Sequence, residues 1–189
     1  MDDPAGTLAR LFTEAPYAAL AWPAVAMVVG TLLGVLSPGA ASQLGIVPRT
    51  AAGLLGIVTG PFIHAGFAHL FANLPAFVVL GTLILRRGDT RFVGVALTIA
   101  ALQGFLLWCL GRRAAHVGMS GVIFGFLGYL LAVAYLTKTS TDLLVAFGTL
   151  VFYGGMLAGV APARNGTSWE GHLLGLGAGV ATAWFQYGG

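Results

Sequence analysis

The sequence predicts an all-α membrane protein, a bundle of six transmembrane helices. Of its 189 residues, 58% are hydrophobic and only 8% are charged, and the mean hydropathy is +0.90. A water-soluble globule would lack the polar surface to cover itself. A segment that crosses a hydrocarbon core of about 30 Å needs about 20 apolar residues. Six runs approach that length: residues 17–36, 67–85, 92–110, 120–136, 143–160 and 168–187.

These six runs occupy most of the chain. We therefore divide it into a short N-terminal tail at residues 1–14 and one helical domain at residues 15–189. The small residues GAAS at 39–42 follow the first run as a signal-peptide cleavage site would. However, the leader MDDP is acidic, whereas a signal peptide begins with positive charge. We expect the first run to remain in the protein as a helix.

The distribution of charge predicts the orientation. The net charge is +3, and the nine basic residues are scattered, so we expect no nucleic-acid partner. With a cytoplasmic N-terminus, five basic residues fall on the inside: Arg10, Arg86, Arg87, Arg91 and Lys138. Four fall outside: Arg49, Arg112, Arg113 and Arg164. The positive-inside rule then places both termini in the cytoplasm, by a small margin.

The segment between the first two runs, residues 37–63, is apolar but irregular. Three prolines and five glycines interrupt it, and proline breaks helices. Irregular backbone at membrane depth must be buried in protein or line a wet cavity. We expect a membrane-embedded loop with a short helix in the outer leaflet. An ordinary exterior loop is the alternative.

The fourth run is unusually short. Its 17 residues, 120–136, make a helix of about 25 Å, which is less than the thickness of the hydrocarbon core. If Lys138 marks the cytoplasmic end, Ser120 lies below the outer surface, and residues 111–119 must dip in to meet it. This geometry predicts a polar cavity with Ser120 on its floor.

Few strongly polar side chains interrupt the apolar runs. They are His69, Asn73, Gln103, Ser120 and His172. Such groups are costly inside a membrane and are usually functional. His69 and Asn73 are four residues apart and share one helix face. In the predicted orientation, every one of the five except Gln103 lies in the outer portion of its run, so we interpret those four as one site.

Ser120 is the candidate nucleophile among the five serines. We assign turn or capping roles to the other four: Ser37, Ser42, Ser140 and Ser168. One small-xxx-small glycine pair follows Ser120, and another follows His172: Gly121 with Gly125, and Gly175 with Gly179. Such pairs allow close helix approach, which would bring Ser120 within reach of His172 as a base. Alternatively, the glycines serve packing alone.

No carboxylate is placed to complete a triad. Glu170 is two residues before His172, about 200° away around a helix. The remaining acids fall in the N-terminal tail or in loops on the opposite side. The sequence therefore predicts a Ser–His dyad.

Two other chemistries compete for these polar residues. Metal binding is disfavoured because an HExxH motif is absent and the single cysteine, Cys109, offers no cluster. We expect no metal and no cofactor. A proton or ion relay through His69, Asn73 and Gln103 is a further alternative. Transporters of this size usually show paired halves, and we find no internal repeat.

Three motifs together resemble the rhomboid intramembrane serine proteases. They are HAGFAHLFAN at 64–73, GMSGVIFG at 118–125 and HLLGLGAG at 172–179. They occur in that order on the second, fourth and sixth runs, so the resemblance covers about residues 15–187. It implies a rhomboid-like six-helix fold.

The resemblance also implies roles for individual residues. Ser120 would be the nucleophile and His172 the general base. His69 and Asn73, with the backbone N–H of Ser120, would form the oxyanion hole. Gly118 would keep the approach open for the substrate carbonyl.

Supporting positions follow from the same resemblance. His64 would be a polar residue at the cavity edge, and the four glycines of the paired motifs would support helix packing. Phe124 stands where family members frequently have tyrosine, and it retains the capacity to stack on His172. The loop after the first helix has Arg49 but no tryptophan, where many bacterial members carry a Trp-Arg pair. His116 falls on no motif and receives no role.

By this resemblance we expect a serine endopeptidase of a bacterial plasma membrane. It would cleave single-span membrane proteins near the outer ends of their spans, where small or helix-breaking residues let the strand unwind into the cavity. The rival hypothesis is a rhomboid-like pseudoprotease that binds membrane clients without cleaving them. That class usually lacks Ser or His at the dyad, and both are present here. A channel or transporter is the third alternative.

Overall fold

The chain folds into helices joined by short connections. The computed structural model describes residues 17–37, 39–162 and 166–188. Within these ranges the α-helices are α1 (Tyr17–Leu36), α2 (Ala40–Leu44), α3 (Ala51–Thr59), α4 (Phe67–Leu85), α5 (Asp89–Leu110), α6 (Ser120–Thr137), α7 (Ser140–Tyr153) and α8 (Trp169–Tyr187). Two 3₁₀ segments follow α3 and α7, at Gly60–Phe62 and Gly154–Val160.

In the part of the chain that the structure describes, five helical segments are long and apolar enough to cross a membrane: residues 18–36, 67–85, 91–110, 120–137 and 140–160. They confirm a multi-pass, helical membrane protein. The sixth predicted span corresponds to α8, which has 19 residues but is less apolar because it carries Glu170, His172 and Gln186. Its crossing of the membrane stays a prediction.

The fifth predicted run does not form one continuous α-helix. It begins at Ser140, earlier than predicted, and changes to 3₁₀ geometry at Gly154. Gly154 and Gly155 are consecutive, and glycine is a poor helix former because it loses the most backbone freedom on ordering. The tighter 3₁₀ segment that follows carries Gly159 towards α8.

Helix α6 is the centre of the bundle. Ten consecutive residues, 121–130, are buried, and 67% of the most apolar stretch of α6 is buried, against 11% for the segment that contains α7. A helix that is hydrophobic all round is typical of a protein core or of a membrane span, and here neighbouring helices cover it. Helices α4, α5, α7 and α8 all pack against it. The other helices turn large apolar side chains outwards, as lipid contact requires.

Helices α6 and α8 pack backbone against backbone. A β-carbon at Gly175 would lie 2.0 Å from the carbonyl oxygen of Gly121. A β-carbon at Gly179 would lie 1.8 Å from the carbonyl oxygen of Gly125. Both distances are far below van der Waals contact, so only glycine permits this approach. The two small-xxx-small pairs therefore face each other directly.

The segment after α1 is tied to the connection between α5 and α6. Ile46 and His116 exchange two backbone hydrogen bonds of 2.9 Å, which form an isolated antiparallel bridge. The Arg49 guanidinium donates to the carbonyl of Cys109 at 2.8 Å, and the Trp108 indole donates to the carbonyl of Thr50 at 2.8 Å. A tryptophan of α5 thus packs beside Arg49, although residues 37–63 contain none.

A polar cluster lies at the end of the bundle opposite Ser120. Arg87 forms an ion pair with Asp142, and Asp142 also accepts hydrogen bonds from the hydroxyl groups of Thr137 (2.6 Å) and Thr139 (2.8 Å). Tyr187, the last residue of α8, accepts from the guanidinium of Arg87 at 3.2 Å. These contacts join the end of α4 to the start of α7 and the end of α8.

We expect Gly179→Ala to lower the free energy of unfolding by about 1–3 kcal/mol, because overpacking a tight contact forces the backbone to shift. Gly177→Ala is the matched control in the same helix, since a β-carbon there meets nothing within 4 Å. Alanine favours a helix over glycine, so the control should keep or raise stability. Unfolding in detergent measures both; equal stability of the two variants would contradict the backbone contact.

Candidate active site

The nucleophile candidate and its predicted base meet at the ends of two helices. Ser120 is the first residue of α6, and His172 lies in the first turn of α8. His172 Nε2 is 2.9 Å from Ser120 Oγ. Gly121 adjoins Ser120, so the α6–α8 contact brings these two side chains to hydrogen-bond distance.

A backbone carbonyl determines the tautomer of His172. Its Nδ1 is 3.0 Å from the carbonyl oxygen of Gly159. A carbonyl only accepts hydrogen bonds, so Nδ1 carries the hydrogen and donates it. Nε2 then has a free lone pair that accepts from the Ser120 hydroxyl. Among the described residues, the two partners that orient this ring are a carbonyl and a hydroxyl, and neither is a carboxylate.

Gly159 was not identified from the sequence. It lies in the 3₁₀ segment after α7, and its contribution is a carbonyl group, which every residue has. A β-carbon at this position would lie 3.1 Å from Phe124 Cζ and 3.2 Å from His172 Nδ1. No sequence motif marks this position.

Phe124 stacks on one face of the His172 ring. The ring centroids of Phe124 and His172 are 4.2 Å apart, and their planes differ by 7°. Phe124 lies one turn after Ser120 on α6 and is itself buried. The stack restricts rotation of the imidazole and excludes water from one of its faces.

His69 and Asn73 reach the same cavity from α4. The cavity has a volume of about 650 Å³, and its lining includes His69, Asn73, Ser120 and His172. Six alanines also line it, which leaves room beside the polar groups: Ala41, Ala65, Ala72, Ala76, Ala114 and Ala115. The Asn73 amide donates one hydrogen bond to the carbonyl of His69 at 2.9 Å. An amide nitrogen has a second N–H available for another acceptor.

Gly118 has no side chain and so leaves space for the His69 ring beside Ser120, the candidate nucleophile. The Gly118 φ is +104°, a conformation that residues with a β-carbon rarely adopt. A β-carbon there would also lie 2.6 Å from Cε1 and 2.7 Å from Nε2 of His69. Two independent constraints therefore require glycine two residues before Ser120.

His64 supports the backbone next to the site. It is buried, with 1% of its surface exposed, and it is not among the residues that line the cavity, whereas the sequence placed it at the cavity edge. Its Nδ1 is 3.3 Å from the Phe62 carbonyl, and its Nε2 accepts the Met119 N–H at 3.4 Å. Burial first, and then the neighbouring His69, lower the pKa of His64 to about 4. The ring is neutral at neutral pH and its edge packs on His69 at a centroid distance of 4.9 Å.

Two polar residues that the sequence left outside the site, Gln103 and Glu170, contact other groups. Gln103 is buried against Gly121, where a β-carbon would lie 2.8 Å from the side-chain amide. Glu170 pairs with Arg112 at 3.4 Å and has no contact with the dyad among its described contacts. Within the described residues, no three His, Cys, Asp or Glu side chains converge on a possible metal ion.

Ser168 does not have the capping role predicted for it. It precedes α8, but its side chain makes no capping hydrogen bond. Its hydroxyl instead lies 2.6 Å from His116 Nδ1. A second serine and a second histidine thus meet close to the first pair.

Comparison with known proteins places the chain in a family. A family model described as the Rhomboid domain matches residues 51–188. The chain belongs to the rhomboid family. The resemblance predicted from the three motifs is thereby confirmed, and the matched region of this rhomboid contains His64, His69, Asn73, Gly118, Ser120, Phe124, Gly159 and His172.

Several relatives are similar to this rhomboid along much of its length. An uncharacterized protein of Mycobacterium tuberculosis is 37% identical over 149 residues, which are 74% of this chain and 62% of that protein. One of Mycobacterium leprae is 36% identical over 140 residues, 69% of this chain and 55% of that protein. Rhomboid-type serine protease 2 of Yarrowia lipolytica is 34% identical over 130 residues, 63% of this chain and 42% of that protein. This rhomboid therefore spans about three fifths or less of the lengths of these relatives.

We expect Gly159→Ala to slow the reaction of Ser120 with a fluorophosphonate several-fold, because the added methyl would press on the His172 ring and on Phe124. Gly155→Ala is the matched control in the same 3₁₀ segment, where a β-carbon meets nothing within 4 Å. The rate constant of covalent labelling measures the effect. Equal labelling rate constants for Gly159→Ala and Gly155→Ala would show that a methyl group at residue 159 does not disturb the His172 ring.

We expect the stability of the folded protein to rise with pH between about 4 and 6.5. Because the pKa of folded His64 is lowered from 6.5 to about 4, the unfolded chain binds the proton more tightly in this window. His64→Gln does not titrate, and its side-chain oxygen can still accept the Met119 N–H. The melting temperature should change less with pH in His64→Gln than in wild type. An equal pH dependence in the two proteins would contradict the lowered pKa of folded His64.

Proposed function

We propose that this rhomboid is an intramembrane serine endopeptidase that uses a Ser120–His172 dyad. It would hydrolyse peptide bonds in or near transmembrane segments of membrane protein substrates. The observation that supports this most directly is the 2.9 Å distance between Ser120 Oγ and His172 Nε2, together with the tautomer that the Gly159 carbonyl selects. A nucleophilic serine needs a base in that position and protonation state.

In the first step, Ser120 Oγ attacks the carbonyl carbon of the scissile bond while its proton passes to His172 Nε2. The resulting imidazolium donates from Nδ1 to the Gly159 carbonyl, whose partial negative charge stabilises it. This carbonyl takes the orienting role that a carboxylate has in a triad. His172 then gives the proton from Nε2 to the leaving amine, the C–N bond breaks, and an acyl-enzyme ester remains on Ser120.

The negative charge on the attacked oxygen needs hydrogen-bond donors. The Ser120 N–H is at the N-terminus of α6, where backbone N–H groups have no partner within the helix and the helix dipole is positive. The second N–H of Asn73 and the His69 ring line the same cavity. We assign these three groups to the oxyanion hole. Donors of this kind contribute about 10²–10³-fold to the rate.

In the second step, water attacks the ester carbonyl while His172 Nε2 accepts one of its protons. The proton returns to Ser120 Oγ as the ester bond breaks, and a carboxylic acid product leaves. Water reaches the dyad through the 650 Å³ cavity. No metal or cofactor takes part in this sequence.

We place the site in a six-span bundle. Helix α8 would be the sixth span, because it packs on α6 from Gly175 at one end to Gln186 at the other, where its amide oxygen accepts from the Tyr129 hydroxyl at 2.8 Å. The segment after α1 would be embedded in the outer leaflet. Its helix α3 exposes Leu54, Leu55 and Val58, which is favourable against lipid.

The orientation follows the charge distribution. Arg86, Arg87, Arg91 and Lys138 lie at the end opposite Ser120, which we place in the cytoplasm with both termini. The dyad then opens towards the outer face of a bacterial plasma membrane. Its substrates would be single-span membrane proteins cleaved near the outer ends of their spans, where small or helix-breaking residues let a strand enter an alanine-lined cavity.

We expect Ser120→Ala and His172→Ala each to lower cleavage of a single-span substrate in liposomes by at least about 10³-fold, because each removes a group that acts in both steps. Ser140→Ala, an exposed serine at the start of α7, is the control and should cleave like wild type. Gel analysis of product against time measures all four proteins.

The same experiment separates the protease from the pseudoprotease. Cleavage and fluorophosphonate labelling that both require Ser120 would support the protease. Labelling of Ser120 without cleavage would indicate a competent dyad and an unsuitable substrate. If folded wild type neither cleaves nor is labelled, the proposal fails and client binding without cleavage becomes the better account.

A further inference from the structure

A second serine–histidine pair lies beside the dyad. His116, in the connection between α5 and α6, is buried, with 4% of its surface exposed. Its Nδ1 lies 2.6 Å from Ser168 Oγ, and its Nε2 lies 3.0 Å from the carbonyl oxygen of Arg112. Both ring nitrogens therefore have partners, and neither partner belongs to the catalytic scheme above.

The partners determine how this ring is protonated. The Arg112 carbonyl only accepts, so Nε2 carries the hydrogen, and Nδ1 accepts from the Ser168 hydroxyl. Burial lowers the pKa of His116, and the charge of Arg112 acts in the same direction, whereas the Arg112 carbonyl and the Glu170 carboxylate oppose it. A neutral ring with one donor and one acceptor fits these surroundings.

The two serine–histidine pairs have the same spacing along the chain. His116 lies four residues before Ser120, and Ser168 lies four residues before His172. Both hydrogen bonds therefore join residues that are 52 positions apart. The order of the chemistry is reversed: the α6 side contributes a histidine and then a serine, and the α8 side contributes a serine and then a histidine.

Each member of the second pair is tied to a member of the first. The Ser168 carbonyl accepts the His172 N–H at 3.1 Å, so Ser168 belongs to the turn that carries His172. His116 is held by its backbone bridge to Ile46 and is followed by the short segment that ends at Ser120. A hydrogen bond between Ser168 and His116 thus links the supports of the two dyad residues.

We propose that His116 and Ser168 form a positioning pair that holds the first turn of α8, and with it His172, against Ser120. This inference rests on the proposed function. Neither residue is assigned to the reacting atoms. The pair acts by restraining the relative position of two helix ends, and a displacement of about 1 Å between reacting groups can cost up to about 10²-fold in rate.

Amide side chains allow each hydrogen bond of His116 to be tested separately. An asparagine side-chain oxygen is as many bonds from Cα as Nδ1 is, so His116→Asn can still accept from Ser168. A glutamine amide nitrogen is as many bonds from Cα as Nε2 is, so His116→Gln can keep the Arg112 contact but loses the one to Ser168. Ser168→Ala removes the hydroxyl alone.

The experiment measures kcat, KM, and the rate and final extent of fluorophosphonate labelling for wild type and these variants, with Ser140→Ala as control. We expect Ser168→Ala and His116→Gln each to lower kcat and the labelling rate about ten-fold, with KM and the final extent unchanged. His116→Asn should stay within about two-fold of wild type, as a rescue of the Ser168 contact. The double variant Ser168→Ala, His116→Gln should lose no more than either single variant, because they break the same bond.

The outcomes separate this inference from the proposed function. If wild type cleaves the substrate and Ser168→Ala has the same kcat as wild type, the positioning pair is overturned and the proposed function is not. A reduced final extent of labelling at an unchanged rate would also overturn it, since the pair would then only stabilise the fold. Equal losses in His116→Asn and His116→Gln would assign the effect to packing of the ring. Absence of cleavage and labelling in folded wild type would overturn the proposed function itself, and the positioning pair with it.

Discussion

The geometry of this molecule depends on a contact without side chains. Helices α6 and α8 touch through Gly121 and Gly125 on one side and Gly175 and Gly179 on the other, so closely that a β-carbon on Gly175 or Gly179 would overlap the backbone of α6. In a membrane, helices gain little from burying apolar surface, because lipid is as apolar as leucine, and close packing of backbones becomes a main source of attraction. The same contact sets the distance between Ser120 and His172. Stability and the candidate site therefore share one interface.

Buried polar groups in this protein are matched mainly with neutral partners. Among the described residues, no carboxylate forms a hydrogen bond with the ring of His64, His116 or His172. Their ring nitrogens meet the carbonyls of Phe62, Arg112 and Gly159, the N–H of Met119, or serine hydroxyls. An ionised group is expensive in an apolar interior unless it is paired and fully hydrogen-bonded. A carbonyl orients an imidazole and selects its tautomer without adding a formal charge. The ion pair of Arg87 with Asp142 lies at the end of the bundle opposite Ser120.

The irregular segments position the regular ones. The bridge between Ile46 and His116 attaches the segment after α1 to the residues that lead into α6. The 3₁₀ segment after α7 delivers the Gly159 carbonyl to His172. Both segments are rich in glycine and lie at the same end of the bundle as Ser120. Non-helical backbone is costly at membrane depth, and here the backbone groups of Ile46 and His116 pair with each other while the Gly159 carbonyl meets His172.

The sequence by itself determined the membrane class and the family, and it predicted Ser120 and His172 as the two central residues of the site. Long apolar runs require membrane helices, and Ser120 and His172 stand out because polar groups inside such runs are costly. It also assigned four spans almost to the residue, but missed the change to 3₁₀ geometry at Gly154, where local glycine content competes with the apolar pattern. Only the tertiary structure decided what orients His172, what Ser168 binds, and that His64 is buried. A carbonyl group is present at every residue and leaves no mark in a sequence, and a hydrogen bond across 52 positions exists only once the packing of two helices has set their register.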